Sequence, residues 1–282
     1  MTQVVLTSLL TAEGVRLAVR QGGTAGPAVV LVHGWAQSGE VWSHQLADPS
    51  FRAYAPDLRG HGASDAPEDG YGDSAVWAGD LRTVLDHTGP AVLVGWSYGG
   101  LVIADYVRFH GTADVLGLVL VGAITEIGRG RPGGATGPAM RAALPAALAE
   151  DPAVAVPALA EFYEHQGRFD GPTRQWMLGT ALRVPARVRG ALFRRDVDSA
   201  EVLRAVDKPT LVVHGTADEV VDPAAGAHAA ATIPGAELRT YENTGHAPFL
   251  EHPERFAADL ATFMTHTAGV TAPAARTAEV GR

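Results

Sequence analysis

The sequence predicts an α/β fold, a mostly parallel sheet covered by helices on both faces. Short apolar, β-rich runs alternate with amphipathic helical stretches along most of the chain, the pattern of strands buried on both sides. The 282 residues are 46% hydrophobic and 19% charged, enough to bury the core of one large domain. The alternation breaks once, between 125 and 205, where Ala-, Pro- and Arg-rich helical segments contain no convincing strand.

From the N-terminus, "VVLTSLL" and "VRLAVR" flank the turn "TAEG", and "QGGTAGP" separates them from "AVVLVHGW". This reads as a hairpin leading into a buried strand. "FRAYAPDLRGHG" follows, then a helix in "DSAVWAGDLRTVLDHTG", a strand in "AVLVGWS", a helix in "LVIADYVRFHG" and a strand in "VLGLVLVGA". The alternation resumes with "PTLVVHGTAD", "PAAGAHAAATIPG", "AELRTYENTGH" and a last helix, "PERFAADLATFMTHT". The core is therefore expected over 1–124 and 206–267, with a helical lid inserted at 125–205 behind the hinge "GRGRPGGATGP". The tail, 268–282, has too few large apolar groups to pack and is expected to be mobile. No internal repeat is present.

A net charge of −9 argues against a nucleic-acid or anionic-membrane partner, and a small-molecule substrate is expected instead. The absence of cysteine removes disulfides, thiol nucleophiles and thiolate metal sites. The start lacks the basic and apolar regions of a signal peptide, and no apolar run reaches the roughly 18 residues of a membrane span, so a cytoplasmic protein is expected.

The chemistry lies in Gly95-Trp96-Ser97-Tyr98-Gly99, between a strand and a helix. Gly-x-Ser-x-Gly there forces the serine into a strained turn with its hydroxyl above the sheet, and the glycines keep strand and helix from colliding. A serine hydroxyl is a poor nucleophile at neutral pH, so it needs a base, and the base needs an acid to fix its tautomer. Asp218 ends the strand of "LVVHGTADEVVD", and His246 sits in the loop "NTGHAPF" after the next strand. Asp218 is preferred over Asp222, which precedes Pro223 as a capping residue would, and over Glu126. His246 is preferred over His252, at a helix start, and His228, within a helix. The N–H groups of Trp35, after "VVLVHG", and of Tyr98 can together hold an oxyanion.

These pieces make the chain resemble the α/β-hydrolase superfamily to about residue 266. "HGW", "DLRGHGASD", "GWSYGG", "HGTADEVVD" and "GHAPFLEHPERF" occur in family order and at family-like spacing. The resemblance implies a mostly parallel sheet of about eight strands, a lid after the sixth, the order Ser97, Asp218, His246 for nucleophile, acid and base, and no cofactor. It implies a structural turn at Asp57 and His61, and an orienting role for His33 beneath the oxyanion loop. Ser97 stands where dehalogenase- and epoxide-hydrolase-type members carry aspartate.

The expected activity is hydrolysis of a carboxylic ester or lactone through an acyl-enzyme. Perhydrolysis of the haloperoxidase type, carbon–carbon bond hydrolysis and a non-hydrolytic receptor on the same scaffold are the alternatives. Trp35 and Tyr98, with Phe162, Tyr163, Trp176 and Leu178 of the lid, are the expected substrate wall. Trp96 and Phe249 are expected to pack. "GRGRPGG" matches G-x-G-x-x-G by chance, since Pro132 denies it the required helix. No His-Glu-x-x-His or comparable metal spacing occurs, so no metal is expected.

Overall fold

A computed structural model describes residues 4–270. Eight strands form one sheet in the order β1-β2-β4-β3-β5-β6-β7-β8. They are β1 (Val5–Leu10), β2 (Arg16–Gly22), β3 (Ala28–Val32), β4 (Arg52–Pro56), β5 (Ala91–Trp96), β6 (Val115–Val121), β7 (Thr210–Gly215) and β8 (Glu237–Tyr241). β2 runs antiparallel to both β1 and β4, and every other pairing is parallel. The expected N-terminal hairpin is thus β1–β2, but it docks on β4, because β3 is enclosed by β4 and β5.

Every residue of β3, β5 and β7 is buried, which explains why these segments read as unbroken apolar runs. The edge strands β1 and β8 are partly exposed. Helices α1 (Ser43–Ala47), α2 (Ser74–Thr88), α3 (Tyr98–His110), α9 (Pro223–Thr232), α10 (Pro248–Glu251) and α11 (Pro253–Val270) cover the sheet. Two aromatic groups anchor this cover. Trp77 of α2 meets Tyr98 of α3 edge to face at 5.9 Å, and Trp42 stacks on Phe249 of α10 at 4.2 Å, with Phe256 of α11 beside it. Truncating such a buried ring costs about 3–5 kcal/mol. Gly117 of β6 lies so close to Phe263 of α11 that an added Cβ would stand 3.0 Å from the ring.

Between β6 and β7 the chain leaves the sheet and forms α4 (Pro138–Ala147), α5 (Pro152–Glu164), α6 (Gly171–Leu182), α7 (Ala186–Leu192) and α8 (Ala200–Arg204). The two ends of this insertion meet: Ile127 N donates to Val197 O (3.1 Å) and Val197 N to Ile127 O (2.7 Å). The buried Glu126 carboxylate accepts from Gly133 N (2.8 Å) and Ser199 N (3.2 Å), joining the start of the insertion to its finish. Arg131-Pro132-Gly133-Gly134 forms a tight turn there, with Gly134 N donating to Arg131 O.

The last helix runs to Val270, so the segment expected to be mobile from 268 begins inside a helix. Its remainder lies outside the described residues. Among the described residues no helix is long and apolar enough to cross a membrane.

Candidate active site

Ser97 joins β5 to α3 with φ 55° and ψ −120°, a left-handed backbone that a residue with a Cβ adopts only under constraint. The constraint is visible. Ser97 N donates to Val121 O (3.0 Å), and Ser97 O accepts from Gly100 N (3.0 Å) and Ile124 N (3.1 Å). α3 also presses against β3, where a Cβ on Gly99 would stand 2.4 Å from Val32 O. Only glycine fits this approach, which is the physical content of the second glycine in the motif.

Asp218 follows β7, and both oxygens of its buried carboxylate are engaged. Oδ1 accepts from Val220 N (2.8 Å) and Val221 N (3.0 Å), and Oδ2 lies 2.8 Å from His246 Nδ1. Burial alone would raise this carboxyl; the nearby His246 and the imidazole hydrogen bonds outweigh it and hold the group below the ordinary carboxylate range. The His246 loop is fixed from two sides, by His246 N to Gln166 O (2.7 Å) and by Trp96 Nε1 to His246 O (2.9 Å). With Nδ1 facing the carboxylate, Nε2 is the nitrogen left for proton transfer.

Ser97 and His246 line one small cavity. Its floor includes Gly34 and Trp35, and a Cβ on Gly34 would stand 2.9 Å from Ser97 Cβ, so the loop after β3 runs directly beside the serine. Tyr98 opens α3, so its N–H has no intrahelical acceptor. Trp35 N makes no backbone hydrogen bond among the described residues.

The other candidates have different surroundings. Asp222 caps α9 by accepting from Ala224 N (2.9 Å), ahead of Pro223 at the first helical position. His228 lies in α9, 3.7 Å from Glu126, and His252 Nε2 meets Thr244 Oγ1 at 3.0 Å. Asp57 accepts from Gly39 N, Ala63 N and the Arg20 guanidinium. His33 Nδ1 donates to Gly34 O (2.8 Å), and Nε2 accepts from Leu58 N (2.9 Å), tying the loop after β3 to the turn after β4. Burial lowers His33 to about 3, with His61 adding to the effect, and burial lowers His61 to about 4.

Of the expected substrate wall, Trp35, Phe162 and Tyr163 line the cavity, with Phe162 edge to face on Trp35 at 5.7 Å. Tyr98, Trp176 and Leu178 do not. The Tyr98 phenol turns away and accepts from Arg195 Nη1 (2.8 Å), and the same guanidinium pairs with Asp105 at 2.6 Å, both side chains fully buried. Trp176 faces a separate open groove with Arg20 and His44, and Leu178 packs against the core. Trp96, expected to pack, also reaches the cavity, as do Gln37, Met140, Gln166 and Val220.

A further residue at the site is His214, on β7. Its Nε2 lies 3.1 Å from Val221 O and 3.1 Å from Asp218 Oδ2. A carbonyl oxygen can only accept, so Nε2 carries the proton, and Asp218 stands between two imidazoles. The sequence signal was available in the i, i+4 spacing of His214 and Asp218. Among the described residues no three His, Asp or Glu side chains are grouped to hold a metal ion.

The chain matches the model of the alpha/beta hydrolase family over residues 29–259, a stretch that holds Ser97, Asp218 and His246. The chain belongs to the alpha/beta hydrolase family. Across the family's range it is similar to the non-heme chloroperoxidase CPO-A1 of Kitasatospora aureofaciens, 33% identical over 270 residues, covering 90% of this chain and 98% of that one. It is also similar to a pimeloyl-[acyl-carrier protein] methyl ester esterase of Aromatoleum aromaticum, 32% identical over 81% of this chain and 94% of the other. Among solved structures, this hydrolase superposes on the esterase RhEst1 of Rhodococcus sp. ECU1013 with a TM-score of 0.88 and 46% identity, over 92% of this chain and 98% of that one.

Proposed function

We propose that this hydrolase cleaves a carboxylic ester or lactone by nucleophilic catalysis through Ser97. The observation that carries the reading is the 2.8 Å contact of His246 Nδ1 with Asp218, made by a residue that lines one cavity with Ser97. Ser97 Oγ attacks the carbonyl carbon as its proton passes to His246 Nε2. The carbonyl oxygen becomes an oxyanion held by the Trp35 and Tyr98 N–H groups. Collapse breaks the bond to the alcohol oxygen, which leaves with the proton from His246. Water then attacks the acyl-enzyme, giving its proton to His246, and the acid departs as Ser97 recovers a proton. Asp218 stays ionised throughout, orienting the imidazole and stabilising its charged form.

The inserted helices supply part of the cavity wall through Phe162 and Tyr163, which supports a role for the insertion in selecting the substrate. The small cavity favours short acyl or alcohol groups. A second reading, perhydrolysis with peroxide in place of water at the acyl-enzyme, is supported by the likeness to a non-heme chloroperoxidase.

The test is a fluorophosphonate probe together with multiple-turnover release of p-nitrophenol from a short-chain ester. Wild type is expected to be labelled and to turn over, and Ser97→Ala to do neither while staying folded. Activity surviving in Ser97→Ala would overturn the reading, and a single turnover without release would favour a receptor. Peracid formation from the same ester with hydrogen peroxide reads out the second activity.

A further inference from the structure

The cavity wall is not uniformly apolar. Trp35, Trp96, Met140, Phe162 and Val220 can take only hydrocarbon, whereas Gln37, Tyr163 and Gln166 also line it. These three polar groups are buried: Gln37 is 1% exposed, Tyr163 1% and Gln166 3%. Buried polar groups are normally paired, because leaving a donor or acceptor unmet costs about 1–3 kcal/mol.

The hydrogen bonds leave an uneven remainder. Gln37 Nε2 donates to Tyr163 OH (2.7 Å) and to Met177 O (3.0 Å). Met177 O can only accept, which fixes the orientation of the amide and assigns the other terminal atom as Oε1. That oxygen has no protein partner, and neither has Gln166 Oε1. Tyr163 accepts from Gln37, so its own O–H proton is not used in that bond. Gln166 is also tied to the reacting centre, since its main-chain oxygen receives His246 N at 2.7 Å. Gln37 Oε1 is therefore a fixed acceptor and the Tyr163 O–H an unused donor at the cavity that holds Ser97, and the Gln166 amide, whose side chain makes no hydrogen bond, brings both an unused oxygen and an unused NH2 from the turn beyond α5.

The geometry points to a polar subsite at Gln37, Tyr163 and Gln166 that recognises a hydrogen-bond donor, a hydroxyl or an amide N–H, carried by the substrate close to its scissile carbonyl. This inference rests on the ester-hydrolase reading and names the substrate class within it: short hydroxy-acid or acylamino esters rather than plain alkyl esters. A site that offers buried acceptors discriminates against an analogue lacking the donor, because that analogue leaves the acceptors unpaired. The apolar remainder of the wall takes the alkyl part.

Two isosteric ester pairs test this: ethyl lactate against ethyl 2-methylpropanoate, and ethyl 3-hydroxybutanoate against ethyl 3-methylbutanoate. Each pair exchanges only OH for CH3. In wild type the hydroxy member of at least one pair is expected to show kcat/KM higher by about tenfold or more, the range that unpaired buried acceptors produce. Gln166→Met and Gln37→Met are expected to bring that ratio below about threefold. Gln37→Met also removes the donor to Met177 O, whereas no hydrogen bond from the Gln166 side chain is lost in Gln166→Met, so the latter keeps the test valid if the former misfolds.

A wild-type ratio near one in both pairs, or a ratio unchanged in Gln166→Met, would overturn the subsite. So would labelling of Ser97 by a fluorophosphonate without turnover of any of the four esters. Failure of both labelling and turnover would instead sink the hydrolase reading itself, so the two failures are distinguishable.

Discussion

His214 Nε2 stands 3.1 Å from Oδ2 of Asp218, the oxygen that also receives His246. The carboxylate facing the imidazole of His246 therefore shares its charge with a second imidazole. His214 Nδ1 is buried without a partner beside Gly226, where an added Cβ would lie only 2.4 Å away. His214 is a positioning residue. In His214→Leu the carboxylate loses a donor and retains more charge for the imidazolium of His246, so the midpoint of the kcat/KM pH profile is expected to move upward. His214→Gln, whose amide can reach the same oxygen, should restore part of the shift. A purely structural role would lower stability in both variants and leave the midpoint in place.

His246 carries a different burden from the other histidines. His246→Gln is expected to lower kcat by several powers of ten, on the order of 4 kcal/mol or more in barrier, with little change in melting temperature. Asp218→Asn should also lose several powers of ten, through the wrong imidazole tautomer. Steady-state kinetics with circular dichroism melts check both. More than about a tenth of wild-type activity in His246→Gln would exclude it as the base.

His33 and His61 are held neutral, at about 3 and about 4 against an ordinary 6.5, chiefly by burial. The folded state binds fewer protons than the unfolded chain below 6.5, so stability falls as pH drops through the window from 6.5 towards these values. At pH 5 each contributes a loss of about 2 kcal/mol. Urea unfolding at pH 7.5 and pH 5 should show this loss in wild type and a smaller one in His61→Gln. The depressed carboxyl of Asp218 acts in a separate window: its stabilisation is present above the ordinary carboxylate range and is lost only in stronger acid.

The backbone at Ser97 stores strain of about 1–3 kcal/mol. Ser97→Gly removes the Cβ that clashes at φ 55°, at an entropic cost of about 0.5–1 kcal/mol. Ser97→Gly should therefore be inactive yet more stable than Ser97→Ala by about 1 kcal/mol, measured by denaturant unfolding. Equal stabilities would mean the turn is relaxed.

Arg195 and Asp105 form an ion pair with no solvent exposure, and Arg195 also donates to Ser74 Oγ (2.9 Å) and to the phenol of Tyr98. Removing one partner, as in Arg195→Met, leaves a buried charge and is expected to cost about 3–5 kcal/mol. Arg195→Met combined with Asp105→Leu should recover much of that loss. Because Tyr98 directly follows Ser97, the single variants should also reduce kcat, whereas a cost confined to stability would separate the pair from the reacting centre.

The sheet, and the places of Ser97, Asp218 and His246 at its strand ends, were legible in the sequence because each leaves a local mark. Two-sided burial writes unbroken apolar runs at β3, β5 and β7, and the tight packing at Gly95, Ser97 and Gly99 admits few residue types. Asp218 and His246 follow strands whose ends must lie on one side of a parallel sheet. The cavity wall was less legible. Phe162, Tyr163, Trp176 and Leu178 are all large and all helical, and only the placement of α5 and α6 decides that the first two line the cavity with Ser97 and the last two do not. Gln37 and Gln166 leave no mark, since their role comes from hydrogen bonds that the fold leaves unmade.

The mutual pairing of Ile127 and Val197, with Glu126 gripping Gly133 and Ser199, brings the two ends of the stretch that carries α4 to α7 side by side. The stretch between them also bonds the rest of the chain, at Gly137 N to Val220 O, at Gln166 O from His246 N and at Arg195 to Asp105. Such a stretch is exchangeable where those bonds are remade. A graft cut just after Glu126 and just before Ala200 could carry another relative's helices onto this platform, provided the incoming piece offers a main-chain N–H at each end for Glu126. Substrate preference would then travel with the graft, except for the part set by Gln37 and Trp35, which would stay behind with the sheet.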